Sequence, residues 1–268
     1  MNKILTPRGT NTVKGIEMNY VGIDIGSTAS KVVVQGEVCE HFVIPTGWSS
    51  KETADAIKNQ LYHEDVDVLR EDTKVVATGY GRVAVSYADY VVTEITCHGR
   101  GGRELAGDDC GIIDVGGQDT KCIILGGGVV IDFIMNDKCS AGTGKFLEVM
   151  ANRLGIDIDE LFLLAEKGKI LPISSLCTVF AESEIISYIG EGRKREDIAA
   201  GIVDSVAEKV AQLCRRKSLP ENVVLTGGLS GNEFFTTILG KKLKKDIKNK
   251  EIGRYAGALG ASYLAKEK

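Results

Sequence analysis

Residues 21–34 read VGIDIGSTASKVVV, and residues 111–125 read GIIDVGGQDTKCIIL. When Asp24 is aligned with Asp114, glycine falls two residues later in both (Gly26, Gly116) and lysine seven later (Lys31, Lys121). An apolar strand precedes each aspartate and another follows each lysine, so one strand–turn–strand unit occurs twice, about 90 residues apart. The turn glycines permit close backbone approach. Turn amides and the hydroxyls of Ser27, Thr28 and Ser30 can cradle an anion. Asp24 and Asp114 are suited to Mg²⁺, which takes a few carboxylates and phosphate oxygens and keeps its waters. A single copy could be an ordinary hairpin, but two copies with matched Asp, Gly and Lys point to a duplicated phosphate-binding device.

Two further segments extend the pattern. Residues 223–232, VVLTGGLSGN, read as a buried strand ending at Gly227 and Gly228. Residues 257–265, GALGASYLA, read as a helix whose glycines permit close packing. In order and spacing this set resembles the ASKHA superfamily of acetate and sugar kinases, Hsp70 and actin. The resemblance implies an α/β fold of two related domains with ATP in the cleft between them. Residues 1–18 are polar and aperiodic and read as a leader, upstream start or tag remnant; the resemblance divides the rest into 19–108, a first domain, and 109–268, a second whose last helix packs back on the first. It also implies that Ser27, Thr28, Ala29, Ser30 and Lys31 line the β- and γ-phosphates with Gly26. Gly116, Gly117, Gln118 and Lys121 would lie on the other phosphate face, Asp24 and Asp114 in the Mg²⁺ shell, and Gly227 and Gly228 near the nucleoside. Gln118 is a candidate for orienting the attacking water.

Composition sets the outer limits. The chain has 268 residues, 43% hydrophobic and 26% charged, with net charge −4. These values suit one or two globular domains and give no general attraction to nucleic acid or anionic membrane. No apolar run reaches membrane-spanning length. Seven cysteines without a CxxC pair, in a chain with no secretion signal, suggest reduced thiols and a cytoplasmic location rather than a disulfide framework.

Residues 135–146, MNDKCSAGTGKF, look like a P-loop but fail it at two positions. GxxxxGK[ST] requires glycine where Cys139 stands and Ser or Thr where Phe146 stands. Phe146, Leu147, Met150 and Leu154 recur at helical spacing, with Gly155 as the C-cap. Downstream, ISSLCTVFAESEIISYIGEG (173–192) places Cys177 after two serines and near a second helix start. In this segment Val179, Phe180, Ile185, Ile186 and Ile189 give a mixed apolar face, and Gly190 and Gly192 end it. A helix N-terminus stabilises thiolate. From residues alone, Cys139 and Cys177 are reactive or buried thiols, or half the ligands of a cluster shared across a twofold dimer. Cys97 and His98 read as adjacent strand residues on opposite faces, which argues against a catalytic pair. Cys122 reads as buried, and Cys39, Cys110 and Cys214 as incidental.

GIDIGSTASK, ATGYGR (77–82), DVGGQDTK, MNDKCSAGTGKFLEVMA, CTVFAESEIIS and TGGLSGN closely resemble the activator components of 2-hydroxyacyl-CoA dehydratases and benzoyl-CoA reductases. The resemblance covers nearly the whole chain after residue 18. It implies a homodimer with ATP in each subunit and one [4Fe–4S] cluster bridging the two through Cys139 and Cys177. It further implies a ferredoxin or flavodoxin donor and an iron–sulfur acceptor, either a dehydratase or a double-cubane cluster protein. The function would be ATP-driven one-electron transfer. The chain departs from the family at Ser140, where alanine is usual, at Lys145, where arginine is usual, and in the LSG after Gly228. A small-molecule kinase on the same fold and an actin-type assembly ATPase are the alternative functions. The helices after the two cysteines are expected to reach the nucleotide-bearing domains at their far ends.

Overall fold

The computed structural model describes residues 18–173 and 177–268. Residues 1–17 of the expected leader, and the two serines before Cys177, lie outside the described residues. Among the described residues, ten strands fall into two five-stranded sheets. The first holds β1 (Asn19–Ile25), β2 (Ala29–Gln35), β3 (Glu40–Pro45), β4 (Thr73–Gly79) and β5 (Tyr90–Val91), in the order β3-β2-β1-β4-β5. The second holds β6 (Gly111–Val115), β7 (Thr120–Gly126), β8 (Val129–Asn136), β9 (Val223–Gly227) and β10 (Ile247–Lys248), in the order β10-β9-β6-β7-β8. Reversed, the second order matches the first strand for strand, so the sequence repeat is a repeat of architecture.

Each copy of the motif is an antiparallel hairpin whose first strand also pairs in parallel with a later one, β1 with β4 and β6 with β9. The shared register explains the seven-residue spacing: Asp24 lies opposite Lys31, and Asp114 opposite Lys121. The first strands are buried along almost their whole length, as their near-continuous apolar runs require when both sheet faces are covered.

Three layers of helix provide that cover. On the outer face of the first sheet, Ile57 and Leu61 of α1 (Ser50–His63) join Val21, Ile23, Ile25 and Val75 in one core. On the outer face of the second sheet, the largest core gathers α3 (Gly144–Leu154), α4 (Ile158–Ala165), α5 (Thr178–Gly190), α6 (Arg195–Cys214) and α7 (Glu233–Leu243). Between the sheets run α2 (Glu94–Ala106) and α8 (Ala256–Glu267), with α8 against β1, β2 and β4 and α2 against β6 to β9.

The α2 result corrects one sequence expectation, because Cys97 and His98 lie in a helix and not a strand. Gly99, Gly101 and Gly102 weaken its intrinsic propensity by up to about 1 kcal/mol each. Tertiary contact explains why they are there. A Cβ on Gly101 would lie 2.0 Å from the Ala256 carbonyl oxygen, and one on Gly260 would lie 1.8 Å from that of Cys97. The helices cross backbone to backbone, and burial of the crossing outweighs the propensity. No helix among the described residues is long and apolar enough to cross a membrane.

Candidate functional site

The two hairpin turns face each other across a cleft of about 310 Å³. Asp24, Gly26, Ser27, Thr28, Ala29 and Lys31 line one side, and Asp114, Gly116, Gly117, Gln118 and Lys121 line the other. Gly227 and Gly228 also line it. The turns nearly touch: a Cβ on Gly117 would lie 2.2 Å from the Thr28 hydroxyl. Gly227 has φ +84, and a Cβ there would lie 2.3 Å from the Val115 carbonyl oxygen, so both conformation and space require glycine. The cleft therefore gathers every residue expected around phosphate and nucleoside except one. Ser30 is fully buried on the opposite side of its strand, and its hydroxyl is 2.8 Å from that of Thr46. Side-chain alternation along β2 sends Ala29 and Lys31 to the cleft and Ser30 away from it.

The two lysines have diverged. Lys121 is buried, with its Nζ 3.5 Å from Asp114 and 2.6 Å from Asp119. Burial favours its neutral form, but the Asp114, Asp119 and Glu94 charges outweigh that and raise its pKa. Lys31 is half-buried in the cleft and has no ion pair among the described residues. Asp114 is also buried. Burial alone would raise its pKa, yet the charges of His98 and Lys121, the Thr226 hydroxyl donating at 2.9 Å, and Lys31 hold it at about 2. Asp24 is 5% exposed, and its Oδ1 has no hydrogen-bond partner among the described residues. An orphaned carboxylate oxygen beside a phosphate-sized cleft fits a hydrated Mg²⁺.

Sequence reasoning missed the residues that α2 brings to this cleft. Glu94 and His98 line it, one turn apart, and the Glu94 pKa is raised, chiefly by burial. Their i,i+4 spacing behind the N-cap Thr93 was readable once the segment is taken as a helix. Cys97 lies beside them, but burial pushes its thiol up to about 12, so no catalytic Cys–His pair forms.

The cysteine segments attach to the same cleft. Gly144 and Lys145 line it although they belong to no P-loop. Their amides, the first of α3, donate to the carbonyls of Gly116 (2.9 Å) and Gly117 (2.8 Å). Here too an expectation needs correcting: α3 meets the phosphate turn at its near end, five residues after Cys139, and not at its far end. Its far end instead pairs Arg153 with Glu182 of α5. The Thr120 hydroxyl donates to the Gly142 carbonyl at 2.7 Å, and Asn136 brackets the loop by donating to the Cys139 and Ala141 carbonyls. Cys177 is the N-cap of α5, as its sequence suggested. Ser140 and Thr178, the residues after the two cysteines, stand hydroxyl to hydroxyl at 2.8 Å. Both cysteines are exposed, so each chain presents two thiols from joined segments, half of what a four-thiolate cluster needs. Among the described residues no group of three or more metal-ligating side chains forms within the chain.

A duplicated sheet with facing hairpin turns defines the ASKHA fold. More narrowly, the chain belongs to the BadF/BadG/BcrA/BcrD ATPase family, whose model matches residues 21–265. It is 41% identical to the 2-hydroxyisocaproyl-CoA dehydratase activator of Clostridioides difficile, over 92% of this chain and 95% of that one. Among solved structures it is similar to component A of the Acidaminococcus fermentans (R)-2-hydroxyglutaryl-CoA dehydratase. There the TM-score is 0.86 at 39% identity, covering 93% of this chain and 98% of that one. The Clostridium difficile activator of 2-hydroxyisocaproyl-CoA dehydratase with bound ADPNP gives a TM-score of 0.84 at 40% identity, covering 93% and 96%. These relationships support ATP or ADP binding and ATPase activity and do not favour a small-molecule kinase.

Proposed function

We propose that this protein is an ATP-driven one-electron reductase, the activator of an iron–sulfur dehydratase or reductase. The observation that carries the reading is the continuous hydrogen-bonded path from the phosphate turn Gly116–Gly117, through the first amides of α3, to the loop of Cys139 and across Ser140–Thr178 to Cys177. Lys31 and the turn amides would hold the β- and γ-phosphates. Asp24 and Asp114 would hold the waters of Mg²⁺, and Gln118, exposed at the turn, would orient the attacking water. Lys121 keeps Asp114 ionised and placed.

Cys139 and Cys177 of two protomers would together ligate one [4Fe–4S] cluster, which supplies a one-electron store that exchanges with a ferredoxin or flavodoxin donor. Cys177 caps α5, and Val179, Phe180, Ile186 and Ile189 of that helix are 46–67% exposed. Large apolar side chains left outside beside a half-complete ligand set suit a second copy of the chain. When the two halves, 19–108 and 109–268, close on nucleotide, the Gly116–Gly117 turn moves with the second half. The α3 amides would transmit that movement to the cysteine loop.

The test is anaerobic purification with iron and sulfide analysis. About four irons per homodimer are expected, lost in Cys139→Ser or Cys177→Ser and kept in Cys97→Ser, Cys122→Ser and Cys214→Ser. A full cluster in a monomer, or one that survives loss of both exposed cysteines, overturns the reading.

A further inference from the structure

Among the described residues, three buried polar atoms around Asp24 have no hydrogen-bond partner: Asp24 Oδ1, Thr78 Oγ1 and His98 Nδ1. Thr78 is the register neighbour of Asp24 on β4. His98 projects from α2 into the seam between the two sheets, and its side chain is 7% exposed. Its Nδ1 lies 3.4 Å from Asp114 Oδ1, inside ion-pair reach but without the alignment of a hydrogen bond. On its other side, Nε2 and Asp24 Oδ2 flank one point beside Gly257, 3.0 and 2.6 Å from where a Cβ would stand. The missing Gly257 side chain makes that room. One imidazole thus stands between the aspartate of the first sheet and the aspartate of the second.

Leaving a buried donor or acceptor unpaired costs about 1–3 kcal/mol, so such groups seldom persist without a role. Here they converge on the one place where both halves of a duplicated fold present a carboxylate. At 3.4 Å the His98–Asp114 approach is already inside ion-pair reach, and a small shift would turn it into a hydrogen bond. We propose that His98 is a positioning residue for ATP hydrolysis, which aligns the Asp24 and Asp114 carboxylates with each other when the cleft closes. This rests on the ATPase reading of the cleft. His98 does not reach the phosphates in this role; it acts through the two aspartates.

Steady-state ATP hydrolysis by the full chain tests it, with His98→Ala, His98→Asn and His98→Gln compared. Asparagine places its amide nitrogen near Nδ1, on the Asp114 side, and glutamine places its own near Nε2. His98→Ala is expected to lower kcat tenfold or more while KM for Mg-ATP moves less than threefold, and His98→Asn to recover more of kcat than His98→Gln. A wild-type kcat in His98→Ala overturns the proposal. So does a joint fall in kcat, nucleotide affinity and melting temperature in all three variants, which would mark a purely structural histidine. If His98→Ala fails to fold, the order of Asn over Gln decides, and equal kcat in those two overturns the proposal. A wild-type chain that hydrolyses no ATP overturns the ATPase reading itself; an active wild type with an indifferent His98 overturns the positioning role alone.

Discussion

Asp114 shows how one side chain is set by its neighbours. Its buried carboxyl is held at about 2 against its own desolvation, by His98, Lys121, the Thr226 hydroxyl and Lys31. A carboxyl whose pKa is depressed on folding stabilises the folded state at every pH above its unfolded value. It loses that contribution as pH falls through the folded value. The window here runs from about pH 4 down to about 2, and the amount at stake is roughly 2 kcal/mol. Urea unfolding in magnesium-free buffer should therefore show wild-type stability falling across that window more steeply than Asp114→Asn. Parallel curves would mean that Asp114 is not held ionised in the folded chain. Lys121 and Lys31 make the complementary point: matched by sequence, one is taken up by two carboxylates and the other left for a ligand.

At the level of elements, the crossing of α2 and α8 holds the two sheets in register around the cleft. It depends on glycine because backbone meets backbone. Gly260→Ala would place a Cβ 1.8 Å from a carbonyl oxygen that cannot rotate away, whereas Gly231→Ala has no neighbour within 4 Å. Thermal or urea denaturation should show Gly260→Ala destabilised by about 3 kcal/mol or more. Gly231→Ala should stay within about 0.5 kcal/mol of wild type. Equal stability of the two variants would refute the close crossing. The start of α3 is the other decisive element, since its first amides are spent on the phosphate turn and not on a side-chain cap. An ordinary N-cap would have satisfied those donors locally and left α3 without its two hydrogen bonds to the Gly116–Gly117 turn.

For the whole molecule, the question is whether the cleft and the cysteine loop share one equilibrium. If they do, a chelator should strip iron from the reduced protein faster with a non-hydrolysable ATP analogue than with ADP. Linkage then requires that reduction of the cluster change nucleotide affinity by the same factor by which nucleotide changes the reduction equilibrium. The single tryptophan offers the reporter for affinity. Trp48 is 97% exposed, two residues after Thr46, whose amide donates to the Thr28 carbonyl of the first phosphate turn at 2.9 Å. Equal chelation rates in the two nucleotide states, with and without the acceptor protein docked, would sink the coupling.

The duplicated fold was legible because it is written locally. Alternation, turn glycines and the seven-residue Asp-to-Lys spacing are properties of a hairpin, and a hairpin repeats wherever its sequence does. The two glycine turns, the Gly227–Gly228 turn and Cys177 at a helix start were readable for the same reason. What involved two distant segments was not. Ser30 was placed at the phosphates because a turn offers every hydroxyl equally until the pleat of β2 turns one of them inward. Glu94 and His98 stayed hidden because a glycine-rich helix has weak propensity, and only its burial against α8 makes it one. By itself the sequence determined the duplicated hairpin, its glycine turns and the placing of Cys177 at a helix start, since each follows from side-chain chemistry over a few residues. Only the tertiary structure decided that the thiol loop begins at the phosphate turn and that one imidazole stands between the two aspartates. Those juxtapositions are set by how whole sheets and helices pack, which no local spacing encodes.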